Sequence, residues 1–317
     1  MRTSTLICFA LTAAMSPLLA ACGGSQPPIG APGAMPQALV RPDASRRLDY
    51  KATGPLVFVV NISNGNVTLY RALAKDPSPL ATISEGLSLP EGGCIDGQGT
   101  LYVSNGTTSH GWVAEYPLGK TSPLRTITEG ISEPGYCAID AEGNLWVANY
   151  DGQNVTEYLK GSKRPHLVIT KGLVDPNGIA IDRSGNLYVG TGYDASQKRV
   201  EVFASGRKSP SRTITNGVTS PAGLAVDSNG TLYVANTYQN NIEEYRPGQD
   251  DPFQTISESM NRPTGVTIDK KGVLYVDNTG DSAVVEFALG SLKPLKRQIN
   301  KSLFGNIGIA HYPPLLP

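Results

Sequence analysis

Short apolar runs of about five residues, separated by turn residues, recur along most of the chain. One copy consists of residues 221–227, 230–236 and 242–245. A fourth short run completes each unit, as residues 211–214 do for the preceding one. The aspartates that end the first run of each copy lie 42 to 45 residues apart, at Asp96, Asp140, Asp182, Asp227 and Asp269. Four strand-like runs in a unit of this length predict the four-stranded blade of a β-propeller.

Each of these aspartates begins an Asp-x-x-Gly turn, for example Asp96 to Gly99. An aspartate side chain caps its own turn, and glycine accepts the left-handed backbone that such a turn requires. Five evenly spaced carboxylates would otherwise suggest cation sites, but the turn chemistry accounts for all five. We therefore assign them a structural role.

The two ends of the repeat region indicate how many blades there are. The first unit begins with residues 56–60, which correspond to a second strand, and it lacks a first strand. The last segment, residues 307–311, matches a first strand and then stops. Pairing these two pieces completes one blade and removes free sheet edges. With five internal units, the sequence predicts an all-β, six-bladed β-propeller over residues 54–317.

Charge and composition narrow the classes of function. Lys and Arg total 27, and Asp and Glu also total 27, so the formal net charge is zero. Nucleic-acid binding requires a basic face, which is not visible in this sequence, so we expect no nucleic-acid partner. The hydrophobic fraction of 39% is that of a globular protein, and we expect a monomer.

The N-terminus carries an export signal. Arg2 and an apolar stretch precede Leu19-Ala20-Ala21-Cys22, which resembles the bacterial lipobox. The resemblance implies that residues 1–21 are removed and that Cys22 receives lipid, which anchors the protein to a membrane. An ordinary signal peptide with an incidental cysteine is the alternative. Residues 22–53 are rich in Pro and Gly and predict a flexible tether. We expect an exported, lipid-anchored protein of the bacterial envelope, at the outer membrane or cell surface.

The repeat resembles the NHL-repeat and SMP-30/gluconolactonase-like group of six-bladed propellers. The likeness is carried by residues 176–182, Pro-Asn-Gly-Ile-Ala-Ile-Asp, by residues 185–189, Gly-Asn-Leu-Tyr-Val, and by their counterparts. It covers about residues 54–312. It implies the fold strongly and the function weakly, because such folds support many activities.

A ligand site is expected on one face of the propeller. First strands line the axis, so if the Asp-x-x-Gly hairpins lie on the bottom face, the loops before each first strand and after each second strand lie on the top face. An inner ring there consists of Glu91, Gly135, Asn177, Ala222, Thr264 and Ile307. An outer ring, which ends the second strands, consists of Asn61, Asn105, Asn149, Thr191, Asn236 and Asn278.

The resemblance implies a divalent cation, Ca²⁺ or Mg²⁺, at the top centre of lactonase-like relatives. Glu91 and Asn177 are the candidate metal ligands here, since hard cations take oxygen donors. Gly135 and Ala222 stand where further ligands would be expected. A related lyase type depends on a histidine, for which His110 is the candidate in a top loop.

Variable residues of the top loops predict a binding surface for a small molecule, a glycan or a protein. Partial burial between loops explains some of these aromatic rings equally well. The predicted ligand-binding residues are Glu91, His110, Trp112, Tyr136, Asn149, Tyr150, Asp151, Asn177, Tyr193, Asp194 and Tyr238.

Cys94 and Cys137 lie on first strands of neighbouring blades, one register position apart. Successive strand side chains point to opposite faces, so the two thiols can meet across the seam between the blades. A disulfide and two separate buried thiols both remain open.

Two functions from different classes remain. One is a binding or scaffold lipoprotein that acts through the top face, which we favour over an enzyme because the catalytic set is incomplete. The other is a metal-dependent lactonase-like hydrolase or lyase with a cation near Glu91 and Asn177. A purely structural surface protein is a third, less specific interpretation.

Overall fold

The computed structural model describes residues 54–107, 110–193 and 195–315. The predicted signal peptide, Cys22, the tether 22–53 and Asp194 lie outside the described residues. Within them, the chain forms six four-stranded antiparallel sheets and one single-turn 3-10 helix, η1 (Thr279–Asp281). The described part holds no helix of the length and apolarity needed to cross a membrane.

The sheets are numbered as blades 1 to 6 and their strands as β1 to β24. Blade 1 consists of β24 (Asn306–Tyr312), β1 (Leu56–Asn61), β2 (Asn66–Arg71) and β3 (Ala81–Ile83). Blade 2 consists of β4 (Pro90–Ile95), β5 (Leu101–Thr107), β6 (His110–Tyr116) and β7 (Arg125–Ile127). Blade 3 consists of β8 (Pro134–Ile139), β9 (Leu145–Asn149), β10 (Asn154–Tyr158) and β11 (Leu167–Ile169). Blade 4 consists of β12 (Ile179–Ile181), β13 (Leu187–Thr191), β14 (Arg199–Phe203) and β15 (Arg212–Ile214). Blade 5 consists of β16 (Pro221–Val226), β17 (Leu232–Asn236), β18 (Asn241–Tyr245) and β19 (Gln254–Ile256). Blade 6 consists of β20 (Pro263–Ile268), β21 (Val273–Asn278), β22 (Ala283–Ala288) and β23 (Pro294–Ile299).

The ring closes as the sequence predicts. β24, the last strand of the chain, pairs antiparallel with β1, the first, with Phe58 opposite Ala310 and Val59 opposite Ile309. β1 also pairs with β2, so it has a partner on both edges. The predicted fold class, a six-bladed β-propeller closed by its two ends, is confirmed.

The second strands are buried on both faces because each lies between two neighbouring blades. All residues of β1, β13 and β17 are buried. The core is therefore a series of apolar clusters along the seams, such as the cluster that joins Tyr188 of blade 4 to Leu224 and Tyr245 of blade 5. Removal of this apolar surface from water is the main favourable contribution to folding.

The Asp-x-x-Gly turns have the predicted structural role. Asp96 Oδ1 accepts hydrogen bonds from the backbone N–H groups of Gln98 at 2.9 Å and Thr100 at 2.8 Å. Gly99 N–H donates to the Asp96 carbonyl at 3.0 Å, and Gly99 has a φ of +86°. The same backbone closure recurs at the other four turns.

Candidate functional site

The outer ring fixes the loops of the top face. Asn105 Oδ1 accepts from Ser88 N–H at 2.9 Å, which ties the end of β5 to the linker that leads into β4. Thr191 replaces an asparagine and its hydroxyl accepts from Val174 N–H at 2.7 Å. All six outer-ring residues are fully buried. These side chains satisfy linker backbone groups, as expected for residues that favour turns.

Asn149, a predicted ligand-binding residue, belongs to this framework. Its Oδ1 accepts from Ser132 N–H at 3.2 Å, and its Nδ2 donates to Asn154 at 2.9 Å and to Thr156 at 3.0 Å. Its amide is therefore engaged within blade 3 and the linker that precedes it, below the surface that a ligand would meet.

Glu91 is the ionisable residue among the six of the inner ring. It lies half-buried on β4, at the top end of the central channel that runs along the propeller axis. Burial raises the pKa of its carboxyl to about 7, and repulsion from Glu133 contributes further. A carboxyl with this pKa exchanges its proton near neutral pH, which suits either hydrogen bonding to a ligand or proton transfer.

Tyr136 crosses the channel below this ring. Its hydroxyl donates to the carbonyl of Ile307, so a side chain from blade 3 reaches the first strand of blade 1. Burial raises the pKa of Tyr136 well above its ordinary value, and the nearby Glu91 carboxyl raises it further. Tyr136 therefore forms the floor of a shallow cup whose wall includes Glu91.

Below Tyr136 the channel continues as a cavity of about 130 Å³. Tyr136 lines this cavity at one end, and Pro314 and Leu315 line it near the C-terminal end of β24. The intervening wall comes from the first strands, with aliphatic residues such as Ile181 and Ile268 beside Thr267 and His311.

Asn177 folds over the inner-ring glycine of the preceding blade. A Cβ atom at Gly135 would lie 2.4 Å from Asn177 Oδ1, so glycine there lets the Asn177 side chain keep this position. The carbonyl of Asn177 accepts from Tyr136 N–H at 3.1 Å. Asn177 is thus placed beside the cup floor, and it also helps to hold Tyr136 in place.

Two further groups lie on the rim of the cup. Burial raises the pKa of Glu133, and the neighbouring Asp151 carboxyl raises it further through repulsion and a hydrogen bond. The rings of Tyr193 and Tyr238 are 5.5 Å apart between centroids, with a tilt of 39°. Tyr238 is 55% exposed, so this aromatic pair presents a face to solvent.

Other predicted site residues lie further from the axis. The Trp112 indole N–H donates to the Gly86 carbonyl at 3.0 Å, and the ring packs on the apolar cluster between blades 1 and 2. His110 begins β6 and is exposed. Tyr150 N–H donates to the Glu133 carbonyl at 2.9 Å, which attaches its loop to the neighbouring linker. Trp112 therefore serves at least to pack a seam.

The structure joins Cys94 and Cys137 by a disulfide, with the two Cα atoms 5.6 Å apart. The bridge links β4 to β8 across the seam of blades 2 and 3 and has no free thiol for catalysis.

The residues at the cup offer few ligands for a divalent cation. Ca²⁺ takes six to eight oxygen ligands, whereas Mg²⁺ is held by one or two carboxylates together with several waters. The inner ring offers one carboxylate, Glu91, and one amide, Asn177, while the hydroxyl of Thr264 lies 2.6 Å from that of Thr279. In the part of the chain that the structure describes, no three His, Cys, Asp or Glu side chains are grouped to hold a metal ion.

The sequence pattern did not reveal how Tyr136 spans the channel. A signal was available, because the residue that follows the inner-ring residue is glycine in five first strands and tyrosine in blade 3. Blade 3 therefore reads Pro-Gly-Tyr in place of Pro-x-Gly. Glycine is required in the others because the strands approach closely, as at Gly178, where a Cβ would lie 1.9 Å from the Ala222 carbonyl.

The fold is a six-bladed β-propeller, and the cup on its axis is the candidate site. Residues 160–292 match the family model of the SMP-30/gluconolactonase/LRE-like region, which confirms the resemblance seen in the repeat. The match includes Asn177 and excludes Glu91. A search of curated proteins found no match.

Solved structures confirm the propeller. A chain in the crystal structure of a nidogen/laminin complex is 19% identical, with a TM-score of 0.68 over 81% of this chain and 98% of that chain. A Bacteroides caccae protein of unknown function is 14% identical, with a TM-score of 0.65 over the same shares. Kuenenia stuttgartiensis hydrazine synthase is 16% identical, with a TM-score of 0.56 over 73% of each chain. Identities this low support the fold alone.

Proposed function

We propose that this chain is an envelope-anchored binding or scaffold module that holds its ligand, a small molecule, a glycan or a protein segment, in the top-face cup. The observation that carries the proposal is Glu91. The other inner-ring positions have Gly, Ala, Asn, Thr and Ile, whereas blade 2 has a half-buried carboxyl. Burial opposes the ionisation of this carboxyl. Groups retained at a cost to stability are characteristic of binding and catalytic sites.

Replacement of Glu91 by Gln is expected to stabilise the domain above pH 7. The folded pKa is raised, so the stability that Glu91 contributes is complete below its unfolded pKa and is lost as pH rises through about 7. The gain at about pH 8 should be about 1–2 kcal/mol, allowing for partial exposure. Thermal melts of both proteins at about pH 5 and about pH 8 measure it.

The same variant should weaken ligand binding, as should Tyr238→Ala, which removes the exposed ring of the aromatic pair. Phe253→Ala is the matched control, because Phe253 is a 40% exposed aromatic that stacks on Arg246 away from the cup. Binding to arrays of immobilised oligosaccharides and of peptides would be compared for all four proteins. Equal binding by wild type and both cup variants would exclude the cup as the site.

Anchoring rests on the Leu19-Ala20-Ala21-Cys22 motif. The disulfide supports export, since such bonds persist in oxidising compartments. We expect Cys22→Ser to abolish metabolic labelling by palmitate and to release the protein from the membrane fraction. Unchanged fractionation of this variant would refute the lipid anchor.

The family-model match over residues 160–292 favours a lactone hydrolase as the second candidate. Glu91 is then the group that would move a proton, given its pKa of about 7. Turnover of a lactone panel, lost in Glu91→Gln, would establish this activity over the binding module.

A further inference from the structure

The seam that closes the ring differs in composition from the other five. In the repeat, the residue before each outer-ring residue corresponds to the position that meets the start of the next blade's Pro-x-Gly segment, as Gly190 meets Pro221. In the five other seams this pair joins Val, Ser, Ala or Gly to a proline. At the closing seam both members differ, since Asp277 of blade 6 faces Asn306 of blade 1.

This pair is fully buried and incompletely hydrogen-bonded. Asn306 Nδ2 donates to Asp277 Oδ1 and also, at 3.2 Å, to the Ala283 carbonyl. Asp277 and Asn306 are both 0% exposed. Among the described residues, Asp277 Oδ2 and Asn306 Oδ1 are two of the buried atoms that have no hydrogen-bond partner. Both are acceptors, so a single proton between them would satisfy both.

We propose that Asp277 carries a proton in the folded protein and donates it to the amide oxygen of Asn306, which makes the closing seam a pH-sensitive clasp. The neutral acid and the amide then exchange two hydrogen bonds, one in each direction. Removal of the proton would leave a buried negative charge on Asp277, with Oδ2 still lacking a hydrogen-bond donor. Burial of such a charge is strongly unfavourable. Ionisation of Asp277 would therefore weaken the contact between β24 and blade 6.

The surroundings of Asp277 favour the neutral form. Burial raises the pKa of its carboxyl well above the ordinary value. Tyr70 on β2 and Tyr136 on β8 are the phenols near Asp277, and both donate to backbone carbonyls rather than to its carboxyl. β20 presents Thr264, and β22 presents Val284 opposite Asp277 in the ladder.

Asp281 on η1 is a further carboxylate of blade 6. Its carboxylate accepts hydrogen bonds from Asn261 at 2.7 Å and Asn278 at 2.8 Å, so it does not share the Asp277 proton. None of the interactions that shift the Asp277 pKa comes from a lysine or an arginine.

The clasp also contacts the floor of the cup. Thr279 donates to the Asn306 carbonyl at 2.7 Å, and the next carbonyl, that of Ile307, accepts from Tyr136. Loss of the clasp would therefore disturb the strand that holds Tyr136.

Asp277→Asn is the test, because a second amide keeps two hydrogen bonds with Asn306 and cannot ionise. The folded pKa of Asp277 is raised, so its stabilising contribution is complete below the unfolded pKa of about 4 and is lost as pH rises toward the folded value. Over that window the unfolding equilibrium constant of wild type, relative to Asp277→Asn, should rise about tenfold per pH unit. Other buried carboxyls titrate in both proteins and cancel.

Asp277→Ala with Asn306→Pro is the matched reference, since it recreates the Ala235–Pro263 pair of the neighbouring seam. The residue before Asn306, Gly305, has a φ of +55°, close to that of Arg262 before Pro263 at +54°. This variant should also lose the pH dependence. It serves as the reference if Asp277→Asn fails to fold.

Infrared spectroscopy reads the proton directly. At about pH 6, above the ordinary range of an aspartate, the carbonyl band of a protonated carboxylic acid should be stronger in wild type than in the reference variant. Chemical denaturation curves that keep the same pH dependence in wild type and variant, or the absence of that band, would overturn the clasp.

Discussion

Ending the chain after Gly305, which removes β24, is expected to abolish the cooperative unfolding transition of the propeller. β1 has five apolar residues that are between 0% and 2% exposed, and β24 covers one of its edges. Without β24, β1 becomes a free edge, the seam to blade 6 loses Ile309, and the seam to blade 2 loses Ala310. An unpaired apolar edge favours aggregation over folding.

Circular dichroism melts and limited proteolysis of the truncated chain would measure this loss. The matched control ends after Leu315 and keeps all of β24, so it should melt like the full chain. A synthetic peptide of residues 304–315 added in trans should restore the transition, whereas the same peptide with Ile309→Asp should not. Wild-type melting of the chain that ends at Gly305 would contradict the closure.

The fold was largely predictable because each repeat carries its own register. The Asp-x-x-Gly turns mark the ends of first strands, and strand periodicity assigns the residues between them. The closure was also predictable, since the missing strand before Leu56 and the extra strand around Ile309 are complementary. Such patterns are local, so a single sequence is sufficient to reveal them.

The candidate site was predictable only in position. The inner ring follows from the repeat, so Glu91 and Asn177 could be placed at the channel mouth. Side-chain directions depend on contacts between distant blades, which is why the reach of Tyr136 to Ile307 was missed. Asp277 and Asn306 were missed for a related reason. Each is a single departure from the repeat, and only the structure shows that the two side chains contact each other across the seam.

Removal of the disulfide is expected to lower the stability of the propeller by about 4 kcal/mol, since a cross-link restricts the conformations of the unfolded chain. Cys94 and Cys137 are 43 residues apart, and that separation sets the loop entropy. For a domain of this size the corresponding fall in melting temperature is about 10 °C. Calorimetry of Cys94→Ser with Cys137→Ser measures it, and a reductant should lower the melting temperature of wild type but not of the variant.

The repeat itself supplies a control that separates the covalent link from packing. At the position of Cys94 blade 5 has Ala225, and the residue it meets in blade 6, at the position of Cys137, is Val266. Cys94→Ala with Cys137→Val should therefore keep the apolar contact and lose only the cross-link, so it should melt above the double serine variant and below wild type. Melting equal to wild type would mean that the bridge adds no stability, and two free thiols in the unfolded, unreduced domain would mean that it does not form. An intermediate melting temperature would mean that the disulfide packs its seam as aliphatic side chains pack the others, and that it also stabilises the fold by restricting the unfolded chain.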